Sequence, residues 1–276
     1  MNPEQVFRVH ESPRLKKPSL IAAWMEDAGK LGPQVIDFLV QKLDCREFGE
    51  ILPEGFFPMA GVTVEDDVTQ FPVSKFYVSD EHNLIIFLSN TPRTDWYRFL
   101  NIVLDITHNE CGVKEIYALG AMVSSAAHTM PRLILSVVNS PQMKDILNPY
   151  GIISDMEYET PPGQKPTINS YLVWLAWKRG LPGASLWVPV PYYLIQAEDP
   201  RACKRYVDFF DRRFNLGIDT QELDDHMSEQ NVRIARLFKE NPAVEGFVRR
   251  LEVNQPLEPE ESERLAREMG EYLNRP

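Results

Sequence analysis

Short apolar runs bounded by turn residues alternate with stretches of helical period through the first two-thirds of this chain, and that alternation admits few folds. Residues 20–24, Leu-Ile-Ala-Ala-Trp, are a continuous apolar run of the kind carried by a strand buried on both faces. A turn follows, and Pro33 takes a helical first position ahead of Val35, Ile36, Leu39, Val40 and Leu43, which share one helix face. Strands are predicted over residues 45–51 and 56–64. A hairpin is predicted from residues 74–78 and 84–88 around the turn Asp80-Glu81-His82-Asn83. Thr94 is placed to cap a helix running to about Cys111, with Phe99, Val103 and Ile106 towards the core and Gly112 in the left-handed position that ends it. Residues 115–119, 133–138 and 185–194 read as strands. The last carries Pro189 and Pro191, which cannot donate to a ladder and so put its end at a sheet edge. Strands interleaved with helices predict a parallel or mixed sheet with helices on both faces.

Residues 167–179 form a helix that is apolar nearly all round, with Ile168, Tyr171, Leu172, Trp174 and Leu175, and Gly180 ends it. Such a helix is buried either in the core or in a subunit contact. Beyond residue 196 the strand signals stop, and helices are predicted at 199–214, 220–240, 243–253 and 259–273. The second opens on the capping-box spacing Asp219 to Glu222 and carries Leu223, Met227, Ile234 and Leu237 at roughly helical intervals. The expected organisation is an α/β core over residues 1–196 and a helical C-terminal subdomain over 197–276. The polar stretch 155–166, broken by Pro161-Pro162-Gly163, is an exposed loop that serves as a lid, a contact arm or a plain connector.

Forty acidic against 29 basic side chains give a net charge of -11, and both parts of the chain are acidic, so a polyanion such as nucleic acid is not an expected partner. The three cysteines, Cys45, Cys111 and Cys203, are widely spaced and suggest reduced, structural thiols instead of a disulfide framework or a zinc site. No apolar run approaches the roughly 20 residues of a spanning helix, and the first residues lack the apolar core of a signal peptide. The expected location is the cytoplasm, with no membrane partner. The acidic run Glu65-Asp66-Asp67 reads as a solvated loop, because nothing near it in sequence closes a coordination sphere.

In an open α/β sheet ligands collect outside the carboxyl ends of the strands, and three segments there carry suitable residues. Asp27, Gly29 and Gly32 precede the Pro33 helix, where backbone N–H groups and the helix dipole favour an anion, although the same residues also make a plain tight turn. Asn90, Thr91 and Arg93 precede the next helix; Arg93 is either a clamp for a carboxylate or phosphate or an ordinary surface arginine. The third segment holds Gly120, Ser124, Ser125 and His128. A serine and a histidine invite a nucleophile–base pair, but no orienting carboxylate, oxyanion hole or GxSxG elbow accompanies them. The other histidines stand singly, without HxxxH or HExxH spacing. No catalytic set, metal site or cofactor is expected.

Several segments in order resemble the proteasome assembly chaperone 2 family. They are the opening strand and turn (20–32), Ile116-Tyr-Ala-Leu-Gly120-Ala with His128-Thr-Met-Pro131-Arg, the helix ending Gly180-Leu-Pro-Gly183, Val188-Pro-Val-Pro191-Tyr-Tyr, and Ile218-Asp219-Thr-Gln-Glu-Leu223. The resemblance spans roughly residues 18–240. It implies a phosphorylase/hydrolase-like, three-layer α/β/α fold with a mixed sheet and a helical C-terminal part, a homo-oligomer such as a trimer, and a binding or assembly-factor role towards another protein complex. Archaeal members that bind proteasomes end in a hydrophobic-Tyr-any tail, whereas here Tyr272 stands well before Pro276, which leaves direct tail docking unsupported. The alternative function is a small-molecule binder or enzyme of phosphorylase/hydrolase type, sited at the loops near Asp27, Arg93 and Ser124.

Overall fold

The computed structural model describes residues 6–11, 13–58, 62–65, 67–157 and 159–275. Among them an eight-stranded sheet runs in the order β1-β3-β6-β7-β2-β8-β10-β9. Its centre is parallel: β2 (Ser19–Trp24) lies between β7 (Leu84–Ser89) and β8 (Glu115–Ser124), and β10 (Gly183–Pro191) continues beyond β8. The flanks are antiparallel: β6 (Ser74–Ser79), β3 (Arg46–Ile51) and β1 (Phe7–Val9) on one side, β9 (Leu135–Val138) on the other.

The two-residue period of the central strands builds two cores. Ile21, Ala23, Ile86, Tyr117 and Leu119 face one layer, which contains α1 (Leu31–Lys42) and α5 (Pro200–Phe214). Leu20, Ala22, Phe87, Ile116 and Ala118 face the other, which contains α2 (Trp96–Leu104) and α4 (Ile168–Lys178). Burial on both faces is why β2 and β7 are apolar without alternation. The result is the three-layer α/β/α sandwich with a mixed sheet. The short helix α3 (Pro141–Leu147) follows β9, and α6 (Gln221–Glu240), α7 (Pro242–Glu252) and α8 (Pro259–Leu273) complete the chain. None of the described helices is long and apolar enough to cross a membrane. Burial pushes the thiols of Cys45 and Cys203 up to about 12 and that of Cys111 to about 11, so all three are protonated at neutral pH.

Several local expectations are corrected. Residues 56–64 do not form one strand: Phe56 and Phe57 turn back onto Pro53, and a separate two-stranded ribbon of β4 (Thr63–Glu65) and β5 (Val68–Gln70) follows. The expected strand also covers residues 59–61, and the expected acidic loop covers Asp66; these positions lie outside the described residues. Asp95, not Thr94, caps α2; its carboxylate accepts from the Arg98 N–H at 3.1 Å, while the Thr94 hydroxyl donates to the Gly55 carbonyl. The helix ends in a π turn over Asp105–Glu110, where Thr107 Oγ1 donates to the Val103 carbonyl at 2.8 Å. Asp219 binds the Gln221 N–H at 2.9 Å instead of forming a box with Glu222; the reciprocal box is at Glu258 and Glu261, opening α8. Strand β10 stops at Pro191, and β9 pairs only with its residues Ala184 to Trp187, so the Val188 to Pro191 end has no β9 neighbour.

Candidate functional site

The chain runs from β2 through α1 to β3 on one side of the sheet, and from β7 through α2 to β8 on the other, so the strand order reverses between β2 and β8. In open α/β sheets this switch point opens a crevice at the carboxyl edge where ligands bind. Here the β2–β8 ladder ends at Ala22 opposite Ala118. Strand β2 stays with β7 as far as Trp24, and β8 stays with β10 as far as Ser124. The two central strands therefore part at Leu119, and backbone groups of β8 face the gap.

Side chains of this chain fill that gap. Asp27, just past β2, accepts from Ala121 N–H through Oδ1 and from Gly32 N–H through Oδ2, both at 2.9 Å. Burial raises its carboxyl pKa above the ordinary value, against the pull of backbone N–H groups of Ala121, Gly32 and Ala28. The Tyr206 hydroxyl, from α5, lies 2.8 Å from the carbonyl oxygens of both Gly120 and Leu186 and shares its proton between them, while Gly120 N–H points at it from 3.4 Å. From the opposite layer, Asn169 of α4 donates through Nδ2 to the Leu119 carbonyl at 2.8 Å and accepts through Oδ1 from Trp24 Nε1 at 2.6 Å. Gly120 makes room here: a Cβ would stand 3.0 Å from Asn169 Nδ2 and 3.1 Å from the Trp187 ring, so either side chain would have to give by a few tenths of an ångström.

The sequence-selected residues divide into connected groups. Gly29, with φ of 63°, turns the chain towards α1, where Lys30 also adopts a left-handed conformation, and a Cβ on Gly32 would press to 3.0 Å on that of Ala23. The neighbouring Glu26, which sequence reasoning passed over, accepts from Asn90 Nδ2 at 2.9 Å and Thr91 N–H at 2.6 Å. Glu26 and Asp27 thus join the loops after β2 and β7 to strand β8. Arg93 is exposed, and its backbone N–H donates to the Phe56 carbonyl.

Gly120 and Ser124 belong to β8 itself and not to a following loop, a correction made possible because the Trp187 ring packs over Gly120 and the strand runs on in register with β10. Ser124 Oγ accepts from Ala126 N–H at 3.1 Å, a local turn contact, and Ser125 is exposed. His128 is engaged elsewhere: its N–H and Nδ1 both meet the Tyr193 hydroxyl, at 2.6 and 3.0 Å, and its ring packs on Phe238 of α6. Burial, then the positive charge of Arg132, lowers the His128 pKa to about 4, so the ring is neutral at pH 7. Ser124 and His128 have different partners, Ala126 N–H and the Tyr193 hydroxyl, and are not hydrogen-bonded to each other. Thr129 reaches Glu252 of α7 at 2.8 Å, which ties this segment to the C-terminal helices.

Two surface grooves lie away from these loops. One, of about 380 Å³, lies between the start of α5 and helices α6 and α8, with Glu198, His226, Glu229, Arg233 and Asn274 in its walls. The other, of about 310 Å³, is apolar and lies between α4 and strands β9 and β10. Among the described residues no group of three His, Cys, Asp or Glu is placed to hold a metal ion. Sequence reasoning also missed Tyr206 and Asn169. Their signal was present: Asn169 is the lone polar residue on the buried face of the apolar α4, and Tyr206 carries a hydroxyl on the buried face of the amphipathic α5.

The model of the PAC2 family matches residues 20–238. No curated protein matches the chain. Among solved structures, a protein of unknown function from Corynebacterium glutamicum is 19% identical with a TM-score of 0.75, covering 90% of this chain and 95% of its own. Pyrococcus furiosus PbaB, an archaeal proteasome activator, is 22% identical with a TM-score of 0.68, covering 84% and 97%. PbaA of the same organism, an archaeal homolog of proteasome-assembly chaperone, is 16% identical with a TM-score of 0.65, covering 89% and 97%. At these identities the likeness is one of fold.

Proposed function

Because the chain belongs to the PAC2 family, we propose that it is a self-associating, non-catalytic binding or assembly factor that acts on another protein complex through its surfaces. The observation that carries this reading is the filled switch-point crevice. Asp27, Tyr206 and Asn169 occupy the place where an enzyme of this architecture holds its ligand, and each is bonded to the chain's own backbone. The exposed Trp174 and Trp177 on α4 supply apolar surface of the kind protein contacts use. The names of PbaB and PbaA point towards proteasome-type partners. Net charge of -11 disfavours nucleic acid, and the protein works in the cytoplasm with residues 197–276 as a helical subdomain of the scaffold. Sedimentation of the full chain, joined to affinity capture of its complex, tests this: a strict monomer that recovers no partner overturns it.

A second reading draws on the joining of two carboxyl-edge loops, those after β2 and β7, to strand β8 by Glu26 and Asp27. It makes the region near Asp27, Arg93 and Ser124 a small-molecule site of phosphorylase/hydrolase type. A melting shift with phosphate or a carboxylate compound, lost in Arg93→Ala, supports it; no shift at millimolar ligand removes it.

A further inference from the structure

Helix α7 packs on α6 and α8 with Val244, Val248 and Leu251 buried. Its backbone is jointed at both ends, by the non-helical Asn241 (φ of -136°) before it and the left-handed Asn254 (φ of 55°) after it. Among the described residues its one hydrogen bond to the α/β layers comes from Thr129 Oγ1 to Glu252 at 2.8 Å. One residue earlier, the His128 ring packs on Phe238 in the last turn of α6, with ring centroids 6.3 Å apart. A single turn after β8 therefore holds both the end of α6 and the end of α7. The far side of that turn is fixed by the buried Arg132–Asp199 pair.

The hold is built for a neutral imidazole. The buried Tyr193 hydroxyl accepts from the His128 backbone N–H at 2.6 Å, and among the described residues the acceptor within reach of its own proton is His128 Nδ1, at 3.0 Å. Nδ1 is therefore bare. A proton there turns the acceptor into a donor and strands the phenol hydrogen in a buried place, which is costly. The charges that face the ring do not compensate. Arg132 lies on the same turn, Asp199 and Arg201 at the start of α5 and Glu252 on α7, while α6 and the turn Tyr192–Leu194 present the rings of Phe238 and Tyr193. The two arginines repel an imidazolium, Asp199 is engaged by Arg132, and Glu252 is bonded to Thr129.

We propose that this turn is an acid-operated latch: protonation of His128 parts α7 and the end of α6 from the turn after β8, while the sheet stays folded, and uncovers the apolar side of α7. The proton favours the parted form because only there does the imidazolium reach water and escape both arginines. The sign follows from linkage: the buried ring titrates at about 4 and a released one near 6.5, so the open form takes the proton first as pH falls. The ratio of open to closed then rises by roughly fiftyfold between pH 7 and pH 4.5. In the open form Val244, Val248 and Leu251 are available to an apolar partner surface, a binding face covered at neutral pH. The latch depends neither on self-association nor on which complex the chain acts on.

Hydrogen exchange of the full chain, read by mass spectrometry at pH 7 and pH 4.5 with rates corrected for the intrinsic effect of pH, tests the latch. In wild type, peptides from residues 233–253 are expected to lose about fiftyfold in protection at the lower pH while β7 stays unexchanged. His128→Phe keeps a ring against Phe238 but cannot take the proton, and its α7 protection is expected to be nearly level across the two pH values. Glu252→Gln keeps an acceptor for Thr129 and is expected to open in acid as wild type does. Equal α7 protection in wild type at both pH values overturns the latch, and so does loss of β7 protection together with α7, which is global unfolding. Opening of His128→Phe in step with wild type, or no opening of Glu252→Gln, overturns the role of His128. The wild-type comparison decides alone if a variant does not fold.

Discussion

Replacing Arg132 with Met tests whether a buried ion pair holds the segment after β8 to the start of α5. Arg132 and Asp199 side chains are each 3% exposed, and the guanidinium approaches one carboxylate oxygen twice, from Nε at 3.0 Å and Nη2 at 2.9 Å. Nη1 donates to the Met130 carbonyl at 2.8 Å, and the second Asp199 oxygen caps α5 by accepting from Ala202 N–H at 3.0 Å. Met fills much of the arginine's volume but leaves Asp199 charged and buried with its cap bond alone. Breaking a buried pair from one side costs about 3–5 kcal/mol. For a chain of this size that lowers the melting temperature by roughly 6–20 °C. Asp199→Asn keeps an oxygen for the cap while stranding the guanidinium, so it is expected to lose a similar amount. The double variant Arg132→Met/Asp199→Asn, with neither charge stranded, loses less than the sum of the single variants. Burial is the main cause of the low His128 pKa and the Arg132 charge adds to it, so Arg132→Met, which removes that charge, makes the imidazole titrate higher by NMR. Thermal and guanidinium melts at pH 7 give the first number. A loss under about 1 kcal/mol, with an unmoved His128 titration, refutes the assignment of this pair as the clamp.

Two further outcomes follow from the same region. Tyr206→Phe removes the hydroxyl between Gly120 and Leu186 and is expected to destabilise the fold by about 1–3 kcal/mol without changing the oligomer, read by melting and sedimentation; an unchanged melt shows that this bond does not hold the crevice. His128 titrates near 6.5 when unfolded and near 4 when folded, so the unfolded chain takes its proton first as pH falls; this residue's contribution is whole above pH 6.5 and about 3 kcal/mol of it is lost by pH 4. Urea melts of wild type and His128→Gln between pH 7 and 4 check this, since the stability advantage of wild type must shrink over that window, and a constant difference refutes it.

Much of the architecture is legible in local pattern. The helices from α5 onward are set by apolar positions three and four apart and by caps such as Asp199 with Pro200 following, signals confined to a few neighbouring residues. The β6–β7 hairpin is equally local: Asn83, with φ of 55°, sits in the turn that joins its strands. Where prediction failed, two local solutions were close in energy, and contacts from far along the chain chose between them. Thr94 and Asp95 are both good caps, and the Gly55 carbonyl takes the Thr94 hydroxyl. Gly120 reads as a loop residue until the Trp187 ring, 67 residues later, covers it.

By itself, then, the sequence determined the layers, since burial on one or two faces is written in apolar period, and it determined which loops reach the carboxyl edge. Only the tertiary structure decided what those loops do. The β2–β8 ladder ends at Ala22 opposite Ala118 because the strands diverge there, and strand register is a pairing between distant segments that no local pattern states. The backbone exposed by that divergence is then satisfied by Asp27, Asn169 and Tyr206, the last reaching Gly120 across 86 residues of chain. Their side chains become plugs only because unpaired backbone groups cannot be left buried.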